Sequence, residues 1–114
     1  TCLFTMCFLK KNKRQELLKT IFESLNSQGA FILVEKINSN NSHNQSMFTE
    51  IYYDFKIDNK LSRSHIINKA KSLRGVMKPL TEEENIKMLK KIGFKKVEVF
   101  FKWFHFTGIL AIKD

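Results

Sequence analysis

The groups that could hold a metal or relay a proton are few, and their spacing argues against both uses. His43, His65 and His105 lie far apart in the chain and in unlike elements, so no metal site is expected. Cys2 and Cys7 form neither a CxxC nor a Cys/His ligand spacing. Five residues apart on a strand, they would point to opposite faces, as two reduced core thiols. What remains is chemistry by positioning. Phe4, Thr5 and Met6 follow Leu3 within the first apolar run, and Glu35 with Lys36 follow Val34 at the end of the second. In an open α/β sheet the carboxyl ends of parallel strands are where ligands collect. Trp103 stands among Phe100, Phe101, Phe104 and Phe106, a set that could stack bases. Alternation buries about half of such a set, so a place in the core or in a dimer interface is the expectation.

Those residues need a sheet to hold them, and the chain supplies one. Residues 1–9 form an apolar run that reads as a buried strand, left through the charged stretch 10–14. Asn12 is placed to cap the next helix, with Gln15 as its partner. Leu17, Leu18, Ile21, Phe22 and Leu25 make one helical face. Residues 26–29 turn the chain, and residues 30–34 form a short strand that Glu35 and Lys36 end. Strand, helix, strand with short links imply a right-handed parallel crossover. Residues 38–46 contain no apolar side chain, are crowded with Asn and Ser, and read as a surface loop. Met47, Phe48, Ile51, Tyr52 and Phe55 resume helical spacing, and a further helix is expected over about 64–74. Thr81 and Glu84 form a capping box, and Gly93 stops that last helix. Residues 97–103 and 107–113 are then two strands joined so tightly that they must be antiparallel neighbours. Val97, Val99, Phe101 and Trp103 should face one layer, with Glu98, Phe100 and Lys102 opposite. The final strand lacks alternation and should be an inner one, buried on both faces.

The whole is a single α/β domain over residues 1–114, with a helical insertion at about 45–75. At 114 residues, 43% hydrophobic and with eleven Phe, the chain can bury a modest core. It opens at Thr1 directly into an apolar run, which suggests a cut inside a larger protein. The formal charge of +9 favours anionic partners, although many of the lysines sit on solvated helix faces. No apolar run approaches the ~18 to 20 residues of a membrane span, and no signal-peptide pattern is present, so a cytoplasmic location is expected.

A capped helix, Gly93-Phe94, and a closing antiparallel hairpin resemble the end of class I S-adenosylmethionine-dependent methyltransferases, a Rossmann-like fold, from the fourth strand of its sheet onward. The finer resemblance is to carboxy-S-adenosylmethionine synthases. It rests on Phe4-Thr5-Met6 with Phe8-Leu9, Arg14-Gln15, Leu25-Asn26 with Gly29-Ala30, Glu35-Lys36, Asp54-Phe55-Lys56, Val76-Met77, Gly93-Phe94, and Phe101 with Phe104 and Phe106. The resemblance implies an enzyme that binds S-adenosylmethionine and converts it, with prephenate, to the carboxylated sulfonium. It implies a homodimer whose product serves tRNA wobble-uridine modification, so that tRNA is a partner only indirectly. Leu3, Phe4, Thr5 and Glu35 are the expected cofactor-side residues. Tyr53, Lys56, Arg63 and Lys69 are the expected substrate-side ones. Leu3 stands where the family places an Asn, and the family's carboxylate-gripping arginine falls on Ala70, between Lys69 and Lys71. Transfer from a sulfonium needs positioning more than an acid-base pair, so no catalytic dyad is expected. A second reading, from another class, is a non-catalytic dimerisation or binding module on the same fold. A glycine-rich cofactor loop, which this stretch does not contain, separates the two.

Overall fold

The computed structural model describes all 114 residues. β1 (Cys2–Leu3) leads through a 3-10 turn (Met6–Phe8) into α1 (Lys11–Ser24) and β2 (Ala30–Lys36). α2 (Ser42–Asp58), α3 (Arg63–Leu73) and α4 (Glu82–Ile92) follow, then β3 (Lys96–Trp103) and β4 (Phe106–Ile112). The sheet order is β1-β2-β4-β3. β1 runs parallel to β2, while β4 is antiparallel to both β2 and β3. The last strand therefore inserts between its hairpin partner and β2, the inner place its unalternating sequence predicts, but it is not buried on both faces, since Leu110 and Ile112 are only half-buried.

One face of this sheet is sealed. Phe31 and Leu33 of β2 and Ile109 and Ala111 of β4 project toward Leu18 of α1 and toward Met88 and Leu89 of α4. Phe94, directly after α4, stacks on Phe31 and meets Phe22 edge to face, with centroids 6.1 and 4.9 Å apart. Gly93 makes that turn possible. Its φ is +133°, and a Cβ there would lie 2.8 Å from the Phe22 ring. Thr81 and Glu84 form the expected reciprocal cap at the start of α4. The other face carries Ile32, Val34 and Leu110, all half-buried. Only its carboxyl end is covered, where Tyr52 of α2 packs edge-on against Phe106 and Trp103.

Four further details differ from the sequence reading. The first strand is two residues long, not nine, because Phe4 adopts φ +53° and turns the chain out of the sheet. Helix α1 begins at Lys11 without a side-chain cap, so Asn12 lies inside it. α2 begins at Ser42, inside the expected loop, because Asn41 accepts hydrogen bonds from the N–H groups of His43 and Asn44. A bulge between Val99 and Phe101 breaks the alternation of β3. Val99, Phe100 and Phe101 are all exposed there, and Trp103 is half-buried.

The two faces of β4 differ in a measurable way. Ile109 is fully buried and Leu110 half-buried. Ile109→Ala is expected to cost about 2 to 5 kcal/mol, and Leu110→Ala about half as much, in urea unfolding of the purified chain. Equal losses would show that both faces of the strand are equally covered.

Candidate ligand cleft

β1 and β2 end side by side, and the chain leaving β1 is fastened to β2 by one side chain. The Phe4 N–H donates to the Val34 carbonyl at 2.8 Å, the last rung of the parallel pairing. The Glu35 carboxylate then accepts from three successive N–H groups. Oε1 takes Thr5 and Met6 at 3.0 and 2.8 Å, and Oε2 takes Cys7 at 3.1 Å. Glu35 is 2% exposed. A charge that deep is tolerated only when it is satisfied, and these donors satisfy it. Arg14 does the converse from α1. Buried itself, it donates to the carbonyls of Leu9, Cys7 and Lys78. The loop 4–9 is thereby held from both ends.

The pinned loop forms one wall of a cleft of about 520 Å³. Phe4 and Phe8 line this side, Trp103 and Phe106 come from the hairpin, and Tyr52, Lys56, Lys69 and Met77 come from α2, α3 and the segment beyond. Lys36, at the end of β2, completes it. Lys36 and Lys56 lie over the same Tyr52 ring, 5.8 and 4.3 Å from its centroid. Lys69 is close enough to lower the pKa of Lys56, and Lys56 that of Lys36; burial is the larger cause in both. None of the three lysines forms an ion pair. The result is an aromatic-walled cleft with unneutralised positive charge. It suits an anion carried on a ring or another apolar body.

The expected site residues divide. Phe4 and Lys69 line the cleft, as does Lys56. Leu3 is 55% exposed and faces outward beside it. The Thr5 hydroxyl is turned back to the Leu3 carbonyl at 3.0 Å. Glu35 was expected at the cleft surface and is instead buried behind its wall. Tyr53 is half-buried beneath Lys56, 6.0 Å from the ammonium, and neither it nor Arg63, exposed at the start of α3, lines the cleft. Tyr52 reads from sequence as packing, yet it is the platform for two lysines. Arg14 enters the sequence reading only within the Arg14-Gln15 match, and His105 only as one of three scattered histidines; neither spacing points to this site.

His105 sits at the hairpin turn, 1% exposed, with both ring nitrogens unpartnered. Tyr52 meets its ring edge-on at 4.8 Å. On its other side is a polar hollow of about 440 Å³ lined by Asn40, Asn44, Phe48 and Phe104. Burial, and then Lys36 and Lys56, lower its pKa from 6.5 to about 4. The unfolded chain binds this proton near pH 6.5 and the folded one only near pH 4, so stability falls as pH drops through that window. The loss should approach ~3 kcal/mol. His105→Phe should abolish most of it, read as urea midpoints from pH 7 down to 4. An unchanged pH slope in the variant would place the proton elsewhere.

Similarity to known proteins agrees with this geometry. No family model matches the chain. It is 42% identical over 113 residues to the carboxy-S-adenosyl-L-methionine synthase of Staphylococcus epidermidis, covering 99% of this chain and 50% of that one. The enzyme of the same name from Campylobacter jejuni is 40% identical over 111 residues, covering 97% and 47%. That from Sulfurimonas denitrificans is 42% identical over 110 residues, covering 96% and 47%. The chain spans about half the length of the curated relatives it matches. Among solved structures, the S-adenosylmethionine-dependent methyltransferase SibL, in its apo form, superposes with a TM-score of 0.60 at 9% identity, over 97% of this chain and 29% of that one. Human N-acetylserotonin methyltransferase, in complex with SAM, gives 0.60 at 15% identity, over 96% and 27%. The chain thus carries part of the fold of the S-adenosylmethionine-dependent methyltransferases and is similar, along nearly its whole length, to about half of a carboxy-S-adenosyl-L-methionine synthase.

Proposed function

We propose that this chain is the C-terminal half of an S-adenosylmethionine-dependent enzyme of the carboxy-S-adenosyl-L-methionine synthase kind. The observation that carries the reading is the 42% identity to such an enzyme over 99% of the chain. A non-catalytic module on the same fold has no comparable support. In this reading the cofactor lies against the carboxyl end of β1, where Phe4 supplies the apolar surface, Leu3 and Thr5 flank it, and Glu35 holds the segment in place. The four glycines, Gly29, Gly75, Gly93 and Gly108, make no glycine-rich loop, so these residues fit one side of the cofactor and cannot enclose it. The sulfonium of S-adenosylmethionine would acidify its own methyl group, whose carbon loses a proton and takes the carboxyl group released by the partner substrate; the residues here orient that substrate.

Helices α2 and α3 are, on this proposal, the insertion that closes the site, because they bring Lys56 and Lys69 to face Lys36. Three ammoniums and no carboxylate match a substrate with more than one carboxylate, such as prephenate. Tyr53 and Arg63 would contribute from the rim. The product would feed wobble-uridine modification of tRNA, in a homodimeric, cytoplasmic enzyme. No helix of the chain is long and apolar enough to cross a membrane.

The test is a chimera in which these 114 residues replace the matched half of the S. epidermidis enzyme. Incubated with S-adenosylmethionine and prephenate, it should form the carboxylated sulfonium, detected by mass spectrometry. A folded chimera that binds S-adenosylmethionine but forms no such product overturns the reading. In that chimera Lys36→Gln and Lys56→Gln should each raise KM for the anionic substrate about tenfold, with a smaller effect on kcat. The 114-residue chain alone should show no binding of S-adenosylmethionine by calorimetry, and a micromolar Kd would contradict the one-sided wall.

A further inference from the structure

Beyond the cleft the molecule has a second concavity, and no residue lines both. It is the hollow of about 440 Å³ that the chain enters on leaving β2, between the hairpin turn and the first turns of α2 and α4. That volume falls in the usual range of small-molecule sites and far exceeds the ~30 Å³ share of one water. Its charges are already spent. The Glu82 carboxylate accepts from Lys102 and from the Thr107 hydroxyl, both at 2.9 Å, and Glu83 pairs with Lys87 at 2.6 Å. Its neutral groups are not spent. His105 is 1% exposed, and both ring nitrogens lack a partner. A neutral imidazole carries a donor on one nitrogen and an acceptor on the other, and burying both unmet is costly. The Asn40 and Asn44 amides are free as well. The bonds around them join other groups: Ser39 N–H to Gln45, Asn41 N–H to Ser39, and the N–H groups of His43 and Asn44 to the Asn41 side chain. Two rings complete the lining. Phe48 and Phe104 lie with centroids 5.7 Å apart and planes at 55°. Phe104 holds its place at φ +47°, in a tight hairpin turn where asparagine or glycine is the usual choice. Strain of that kind collects at ligand sites.

We propose that this hollow is a second ligand site, for an uncharged planar heterocycle that carries a hydrogen-bond donor beside an acceptor, as on the edge of a nucleobase. The inference stands apart from the enzymatic reading of the chain. Neutrality follows from the spent charges, in contrast to the unpaired ammoniums of the cleft. The mixed edge follows from the unspent groups, since an imidazole and two carboxamides each offer both a donor and an acceptor. Planarity follows from the two rings, against which a flat π-face packs whatever its substituents. A metal ion is a poor occupant, because no three His, Cys, Asp or Glu side chains converge. Occupancy would give the His105 nitrogens the partners that the fold withholds. Tyr52, edge-on to the same ring at 4.8 Å, stands between this ligand and the cleft.

Cytosine and uracil are the probes, titrated at neutral pH into the isotope-labelled chain and followed by NMR. The His105 ring nitrogens and the Asn40 and Asn44 side-chain amides should shift saturably, with a millimolar Kd. His105→Phe and Asn44→Ala should each weaken binding about tenfold. Asn44 is exposed on the first turn of α2, so its variant folds even where His105→Phe does not. If the chain alone gives no dispersed spectrum, the chimera takes its place in the same titration. Dimethylated uracil, its N–H groups capped by methyls, should not bind. Benzoate, an anion on a ring, should shift Lys36 and Tyr52 in the cleft and leave Asn44 unmoved. A hollow that holds ordered water only gives no saturable shift, and that result would overturn the proposal. So would uracil shifts confined to Lys36, Tyr52 and Lys56, methylated uracil binding as tightly as uracil, benzoate moving Asn44, or binding indifferent to Asn44→Ala.

Discussion

A single buried carboxylate organises the working end of this molecule. Glu35 collects three consecutive backbone N–H groups from a segment some thirty residues away in sequence. Without it, the donors of Thr5, Met6 and Cys7 would be left at the mouth of an apolar cleft. Leaving such groups unmade is costlier than the bond itself is favourable. Because the acceptor belongs to β2, the loop inherits the rigidity of the central sheet. Arg14 adds the complementary half from α1 and reaches across to the Lys78 carbonyl, fixing the approach to α4 as well. The left-handed Phe4 is tolerable in this setting, since its strain is overcome by contacts on both sides.

The cleft that results combines two tendencies that normally oppose one another. Aromatic walls exclude water, and exclusion of water disfavours charge. Yet Lys36 and Lys56 share one tyrosine ring without a carboxylate between them. The ring quadrupole offsets part of their mutual repulsion. The rest is left as a standing positive potential, which adds to the larger effect of burial in keeping His105 neutral. A ligand that brings negative charge relieves this tension, and a neutral one does not.

Much of this was legible in the residues. The capping box at Thr81, the glycine stop at Gly93 and the unalternating Ile109 to Ile112 stretch are local signals, and the elements formed where those signals lie. The nine-residue first strand failed because an apolar run does not report a left-handed turn; Phe4 bends through a tertiary contact that no local preference encodes. The rim was misread for a similar reason. Glu35 and Lys36 are adjacent, and strand alternation sends one inward and one to the cleft. Register, which depends on the partner strand, decides which. Tyr52 and His105 meet through the hairpin, at a sequence separation that spacing rules cannot see.

The Arg14 bridge to Lys78 spans 64 residues, and the Glu35 contacts 28 to 30. Such closures cost loop entropy before they return any energy. The β3–β4 hairpin and the α4 cap, by contrast, are local and can form early. The cleft wall is thus assembled on a sheet that already exists. It is also the part best able to open as a unit while the rest of the molecule stays folded. The hydrophobic face formed by Phe31, Leu33, Ile109 and Ala111 would keep Leu18, Met88 and Leu89 through such an excursion and lose only Met6 and Leu9 of the loop. Ligand entry would then draw on a fluctuation of one pinned segment rather than on any movement of the sheet.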